Sequence, residues 1–276
     1  MTSESPSTLL FHCKIGERSP QVSNLPGRNT PLTLPPEILD KILDHVPTNK
    51  EGRRTLTSSA LVATWWTGPS QRRLFSSVEI YGNNYDRWMN GVVLSGSKTH
   101  LLKYVRSLWH FCGLYYRMRE LLVDSGDYFS ALRNLHSLAF CNIWLEHLSE
   151  EESRICFSAF RETLTDLTLM TFGATFSGFV ALVNYFPNIT TLRLDSFVLE
   201  PDESPVPPLS RPLRGKLCVF DVQPGDLEFF NRFFQLSLEY EELVIDDSLS
   251  VFTETILQMS PSTIKFLRLT VELPCE

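Results

Sequence analysis

The sequence has no surplus of basic charge. Its 25 Lys and Arg stand against 32 Asp and Glu, a formal charge of −7. A phosphate backbone is held by a basic surface that releases counterions, so this balance argues against nucleic acid as a partner. No long apolar run is present either. The segment STLLFHCKIG is too short to span a bilayer and lacks a basic leader, so no membrane association is expected. The six cysteines (Cys13, Cys112, Cys141, Cys156, Cys218, Cys275) are scattered and form no CxxC pair. In a chain without a secretory signal they read as reduced, buried thiols, which places the protein in the cytoplasm and/or nucleus. The sequon Asn188-Ile189-Thr190 is then expected to be unmodified. Phosphate loops, GxSxG and dinucleotide fingerprints are absent, and no closely spaced Cys or His pairs suit a metal. His110 lies two residues from Cys112, and His136, Cys141 and His147 fall close together. A Cys–His nucleophile needs a stabilised thiolate and an aligned base, and packing is the simpler reading of Cys141. No catalysis, cofactor or metal is expected.

What is there is core material: 43% hydrophobic and 12% aromatic residues, enough for a sizeable folded body. Residues 1–31 are rich in Ser, Thr, Pro and Gly and read as a disordered leader. Order is expected from Leu32. Pro36 suits the first helical position, and Ile38, Leu39, Ile42, Leu43 and Val46 cover one helical face before Pro47 ends it. Gly52 disfavours a continuous helix over the next loop, so Thr55 is the expected cap of a second helix, LTSSALVATWW. Gly68-Pro69 is the expected break before a short third helix. Three helices in so few residues make a marginal unit by surface-to-volume scaling.

From Phe75 the pattern changes to a repeat of apolar-x-x-apolar-x-apolar segments: FSSVEI, VRSLWH, LHSLAF, LTDLTL, ITTLRL, RGKLCV, YEELVI and IKFLRL. Their central residues are Val78, Leu108, Leu138, Leu167, Leu192, Leu217, Leu243 and Leu267, spaced by 30, 30, 29, 25, 25, 26 and 24. Helical periodicity lies between several of them, as in FSGFVALVNYF and GDLEFFNRFF. The exception, EPDESPVPPLSRPLRG, carries five prolines that forbid a regular helix. Strand, turn and helix at this period predict a leucine-rich-repeat solenoid. The late acidic residues Glu239, Glu241, Glu242, Asp246 and Asp247 read as a solvated face.

Together, LTLPPEILDKILDHV, ALVATWW and RRLFSSVEIYG resemble an F-box followed by leucine-rich repeats, as in the fungal F-box family. Leu34-Pro35-Pro36-Glu37-Ile38-Leu39 matches the family's opening, and Leu61-Val62 with Trp66 matches its second signature; Ala63 stands where the family has cysteine. The resemblance implies an α/β chain with a three-helix F-box over 32–74 and a repeat solenoid over 75–276. It implies a substrate-receptor subunit of a Skp/cullin/F-box ubiquitin ligase, bound to a Skp-type adaptor and through it to cullin. Leu34, Pro35, Ile38, Leu39, Leu43, Leu61, Val62 and Trp66 are the expected adaptor-binding residues. The alternative is a non-catalytic leucine-rich-repeat interaction module unconnected with ubiquitin, its first helix a plain cap.

Strand alternation places two rows on the face opposite the inward leucines. One runs Glu79, Trp109, Ala139, Thr168, Arg193, Cys218, Val244 and Arg268. Its neighbour runs Tyr81, Phe111, Cys141, Met170, Asp195, Phe220, Asp246 and Thr270. Aromatics mixed with single charges suit protein recognition. Tyr81, Trp109, Phe111, Met170, Arg193, Asp195 and Arg268 are the expected contacts to a protein substrate, whose identity the sequence does not name.

Overall fold

The computed structural model describes residues 34–47, 49–93, 98–117, 129–145, 150–200, 208–220, 227–236, 238–246, 258 and 264–270. The expected 1–31 leader lies outside them. Pro36–Glu276 is one compact unit.

Three helices open it. α1 (Pro36–Asp44) starts at the proline whose missing N–H costs a first turn nothing. α2 (Lys50–Val62) begins earlier than expected. Its cap is Asn49, whose Oδ1 accepts from the Gly52 backbone N–H at 2.9 Å, the standard repair for an unpaired helical donor. Gly52 is therefore inside the helix, and for a steric reason: a Cβ there would lie 1.7 Å from the Pro47 carbonyl oxygen. α3 (Thr64–Leu74) runs through Pro69, so the break falls at extended Ala63 (φ −157°, ψ 154°) rather than at Gly68-Pro69. Leu39, Leu43 and Leu56 bury one another in this bundle, with Val46, Trp65, Trp66 and Leu74 packed around them.

The expected leucine-rich-repeat solenoid is corrected. The strands form a single eight-stranded, all-parallel sheet in chain order, and with its helices the molecule is an α/β fold. The strands are β1 (Ser77–Ile80), β2 (Ser107–Arg117), β3 (Ser137–Leu145), β4 (Asp166–Thr175), β5 (Thr191–Glu200), β6 (Leu213–Phe220), β7 (Leu238–Asp246) and β8 (Phe266–Thr270). Among the described residues, their connections are not copies of one unit. Between β1 and β2 stand α4 (Gly82–Trp88), a π-turn at Met89–Val93 and a 3₁₀ turn at Thr99–Tyr104. α5 (Glu150–Phe157) and a 3₁₀ turn at Ser158–Phe160 precede β4, α6 (Phe176–Tyr185) precedes β5, and α7 (Leu227–Phe234) precedes β7. An apolar strand repeat fixes spacing and facing, which any parallel sheet laid down in chain order satisfies; the connections are left free.

That spacing did fix the register. Val78, Leu108, Leu138, Leu167, Leu192, Leu217, Leu243 and Leu267 pair in succession across all seven strand junctions. The first seven are buried in one continuous core, whereas Leu267 is 46% exposed. Between the leucines and the connections pack Phe129, Phe157, Phe160, Phe179, Phe186 and Phe229, all at most 1% exposed. Immediately before the strands, carbonyls at Ser76, Arg106, His136 and Thr165 each accept two N–H groups from the next strand's lead-in at 2.8–3.0 Å.

Three strands turn at one level. Asn142 (φ 58°), Thr171 (φ 48°) and Ser196 (φ 45°) sit side by side in the left-handed region, which side chains other than glycine seldom enter. The turn resets the alternation, so Ile143 and Phe172 rejoin Phe140 and Leu169 in the core only three residues on. Because neighbouring strands turn together, pairing resumes beyond it. Of the late acidic residues, Glu239, Glu242 and Glu241 form ion pairs with Arg214 at 2.7 Å, Lys216 at 2.8 Å and Lys265 at 2.9 Å, and Asp247 lies outside the described residues.

Candidate functional site

α1 carries two apolar stripes where the sequence reads as one. Successive helical residues are about 100° apart, so Leu39 and Leu43 turn inward, at 1% and 2% exposure, while Ile38 and Ile42 turn outward, at 43% and 44%. Leu61 and Val62, the last turn of α2, are 79% and 73% exposed. Of the eight expected adaptor residues, Ile38, Leu61 and Val62 are therefore open to a partner. Leu39 and Leu43 are occupied inside the bundle, and Trp66 is packed against it. Leu34 and Pro35 are exposed and precede the compact unit. Ile42, part of the apolar face read from sequence but not among the eight expected adaptor residues, is open beside Ile38, four residues away.

The sheet brings the second set of residues together. Glu79, Trp109, Ala139, Thr168, Arg193, Cys218, Val244 and Arg268 pair in a single row, and Phe111, Cys141, Met170, Asp195, Phe220, Asp246 and Thr270 in the next. Tyr81 joins the second row by stacking on Phe111, centroids 4.4 Å apart and planes 14° apart. Trp109 stands beside Phe111 at 6.1 Å. Tyr81 is 40% exposed, and its hydroxyl donates to Glu79 Oε2 at 2.8 Å. That bond holds the phenol's pKa above its usual value. Offset aromatic stacks of this kind present a rigid, amphipathic contact surface.

Beyond the aromatic end the rows change character. Ala139, Cys141, Thr168, Cys218 and Val244 are small, buried and outside the main core cluster. Arg193 and Arg268 are exposed, with three strand spacings between them, about 14 Å. Burial raises the Cys218 thiol, and Arg193, Lys216 and Arg268 only partly offset it. Asp195 accepts from the Ser196 hydroxyl at 3.0 Å, and Met170 is half-buried.

Among the described residues, no cysteine has an activated thiol. Burial, helped by Asp195, pushes the Cys141 thiol up to about 11, so it is protonated at neutral pH. His136 is exposed, its Nδ1 2.7 Å from the Asn134 carbonyl oxygen. His110 points into the core among Tyr85, Phe129 and Phe140, and His147 lies outside the described residues. Among the described residues, no three His, Cys, Asp or Glu side chains are grouped to hold a metal, and no helix is long and apolar enough to cross a membrane.

Compared with protein-family models, curated proteins and solved structures, the chain matches none.

Proposed function

We propose that the chain is a substrate receptor: its N-terminal helices dock on a Skp-type adaptor, and its sheet face holds a protein substrate for ubiquitin transfer. The F-box resemblance over Leu34–Leu39 and Leu61–Trp66 supports the first half. The observation that carries it is the leftover apolar stripe on α1. Once Leu39 and Leu43 have satisfied the bundle, Ile38 and Ile42 remain nearly half exposed, a pattern that a helix used only as a cap has no need of. Each isoleucine contributes about 1.5–3 kcal/mol when a partner groove covers it fully. The stacked Tyr81, Phe111 and Trp109 supply anchors for a substrate, with Met170, Arg193, Asp195 and Arg268 extending the contact. The mechanism is proximity: receptor and adaptor raise the substrate's effective concentration near the charged ubiquitin carrier, whose chemistry belongs to other subunits.

A second reading is a plain interaction module. It is favoured by the compactness of Pro36–Glu276, which keeps the helices and the sheet in one unit. Co-purification with a Skp-type adaptor separates the two. Ile38→Asp with Ile42→Asp is the informative double variant, because both side chains are exposed and their replacement is expected to leave the fold intact. Wild type is expected to form a one-to-one complex that the double variant loses at unchanged melting temperature. Folded wild type that captures no adaptor leaves only the plain module.

A further inference from the structure

On a chain of net charge −7, surface cations are expected to find carboxylates. Several do: Arg154 pairs with Glu151, Arg161 with Glu162, Arg214 with Glu239, Lys216 with Glu242 and Lys265 with Glu241. At one place cations are gathered rather than scattered. A cleft of about 280 Å³ is lined by Arg72, Lys103, Tyr104, Arg106 and Asn134, three cations and no carboxylate. Arg72 also pairs with Asp40, at 2.8 Å. Among the described residues, neither Lys103 nor Arg106 forms an ion pair.

These side chains come from three separate places, and the backbone fixes each. Arg72 is in the last turn of α3. Lys103 and Tyr104 close the 3₁₀ turn before β2, where the ammonium sits 4.9 Å from the Tyr104 ring centroid. Arg106 is locked between strands. Its N–H donates to the Ser76 carbonyl at 2.9 Å, and its own carbonyl accepts from His136 and Ser137 at 2.8 and 3.0 Å. Asn134 Nδ2 donates to the Lys103 carbonyl at 2.6 Å, tying the next strand's lead-in to the same turn.

Lys103 and Arg106 have no carboxylate partner and Arg72 shares its charge with Asp40, so the gathered cations are only partly compensated, and an anion in the cleft offsets their repulsion. The donors are two guanidinium forks, an ammonium, a phenol and an amide, a set matched to a compact oxyanion with several acceptor oxygens. We infer that this cleft binds a phosphate-type dianion, either free phosphate or the phosphate of a small monoester.

The full-length chain is titrated by calorimetry with inorganic phosphate and with O-phosphoserine at constant ionic strength. Saturable binding is expected, weakened about tenfold in Arg106→Gln and again in Lys103→Gln. Asp40→Asn, which frees Arg72, is expected to tighten it, and Arg214→Gln, remote and already paired, to leave it unchanged. Unaltered melting temperatures show that each variant is folded. Tighter O-phosphoserine marks a phosphoester as the source, and tighter inorganic phosphate marks the free anion; both retain the site. A response that does not saturate, or that Arg106→Gln and Lys103→Gln leave intact, overturns it.

Discussion

At the scale of single residues, the strand pattern carries one departure, and it has a cost. His110 occupies an inward position of β2, paired with Ile80 and Phe140, and is 3% exposed. Removal from water disfavours the imidazolium and lowers its pKa to about 4. An unfolded chain titrates the same ring near 6.5, so between these values the unfolded state binds the proton first. Stability is therefore complete above pH 6.5 and falls as the pH drops toward 4, by about 3 kcal/mol from this ring alone. Urea unfolding across that range, for wild type and His110→Leu, is the measurement. The variant is expected to show a shallower acid loss by about that amount, and parallel curves would mean that the ring stays solvated. The position was legible from VRSLWH; the ring of Tyr85, Phe129 and Phe140 around it was not, since those residues come from distant parts of the chain.

At the scale of elements, the helices were legible in their apolar spacing and illegible in their ends. Ile38, Leu39, Ile42 and Leu43 announce α1, but one sequence does not say which pair the bundle takes and which it leaves out. The start of α2 was missed because propensity was weighed without contact. Glycine inside a helix normally costs about 1 kcal/mol relative to alanine, so Gly52 read as a helix breaker. In the fold it is where α2 passes against the chain leaving α1, and a Cβ would strike the Pro47 carbonyl. The usual substitution therefore changes sign. Gly52→Ala is expected to lose about 2 kcal/mol or more rather than gain stability, read as a lowered denaturation midpoint. A gain would mean that the Pro47 turn yields freely. Similar crowding explains Gly215, at φ 96°, where a Cβ would lie 2.2 Å from the Thr190 carbonyl oxygen beside the β6 bulge.

At the scale of the molecule, the sequence repeat predicted which residues lie side by side and mispredicted the architecture. Both outward rows, from Glu79 to Arg268 and from Phe111 to Thr270, follow from a period-two strand in a regular repeat. The connections obey no such period, and their varied helices and turns fold as parts of one parallel sheet. The basic cleft had no signal at all, because Arg72, Lys103, Arg106 and Asn134 meet only once α3 and two strand lead-ins are stacked. Burial is also unevenly shared. The sheet core is continuous from Val78 to Ile245, with Leu138, Leu167 and Leu192 wholly enclosed, whereas the bundle has only Leu39, Leu43 and Leu56 fully inside. Regions with little enclosed apolar surface open at lower free energy than the global transition. Amide hydrogen exchange in mild denaturant is therefore expected to show α1 and α2 opening before β3, β4 and β5. Under the proposed docking, an adaptor covering Ile38 and Ile42 is expected to raise protection in α1 first, since a ligand that binds only the closed form stabilises it by mass action. Equal opening energies for helices and strands would mean that the bundle draws its stability from the sheet, and its exposed stripe would then have to be read as part of one cooperative body.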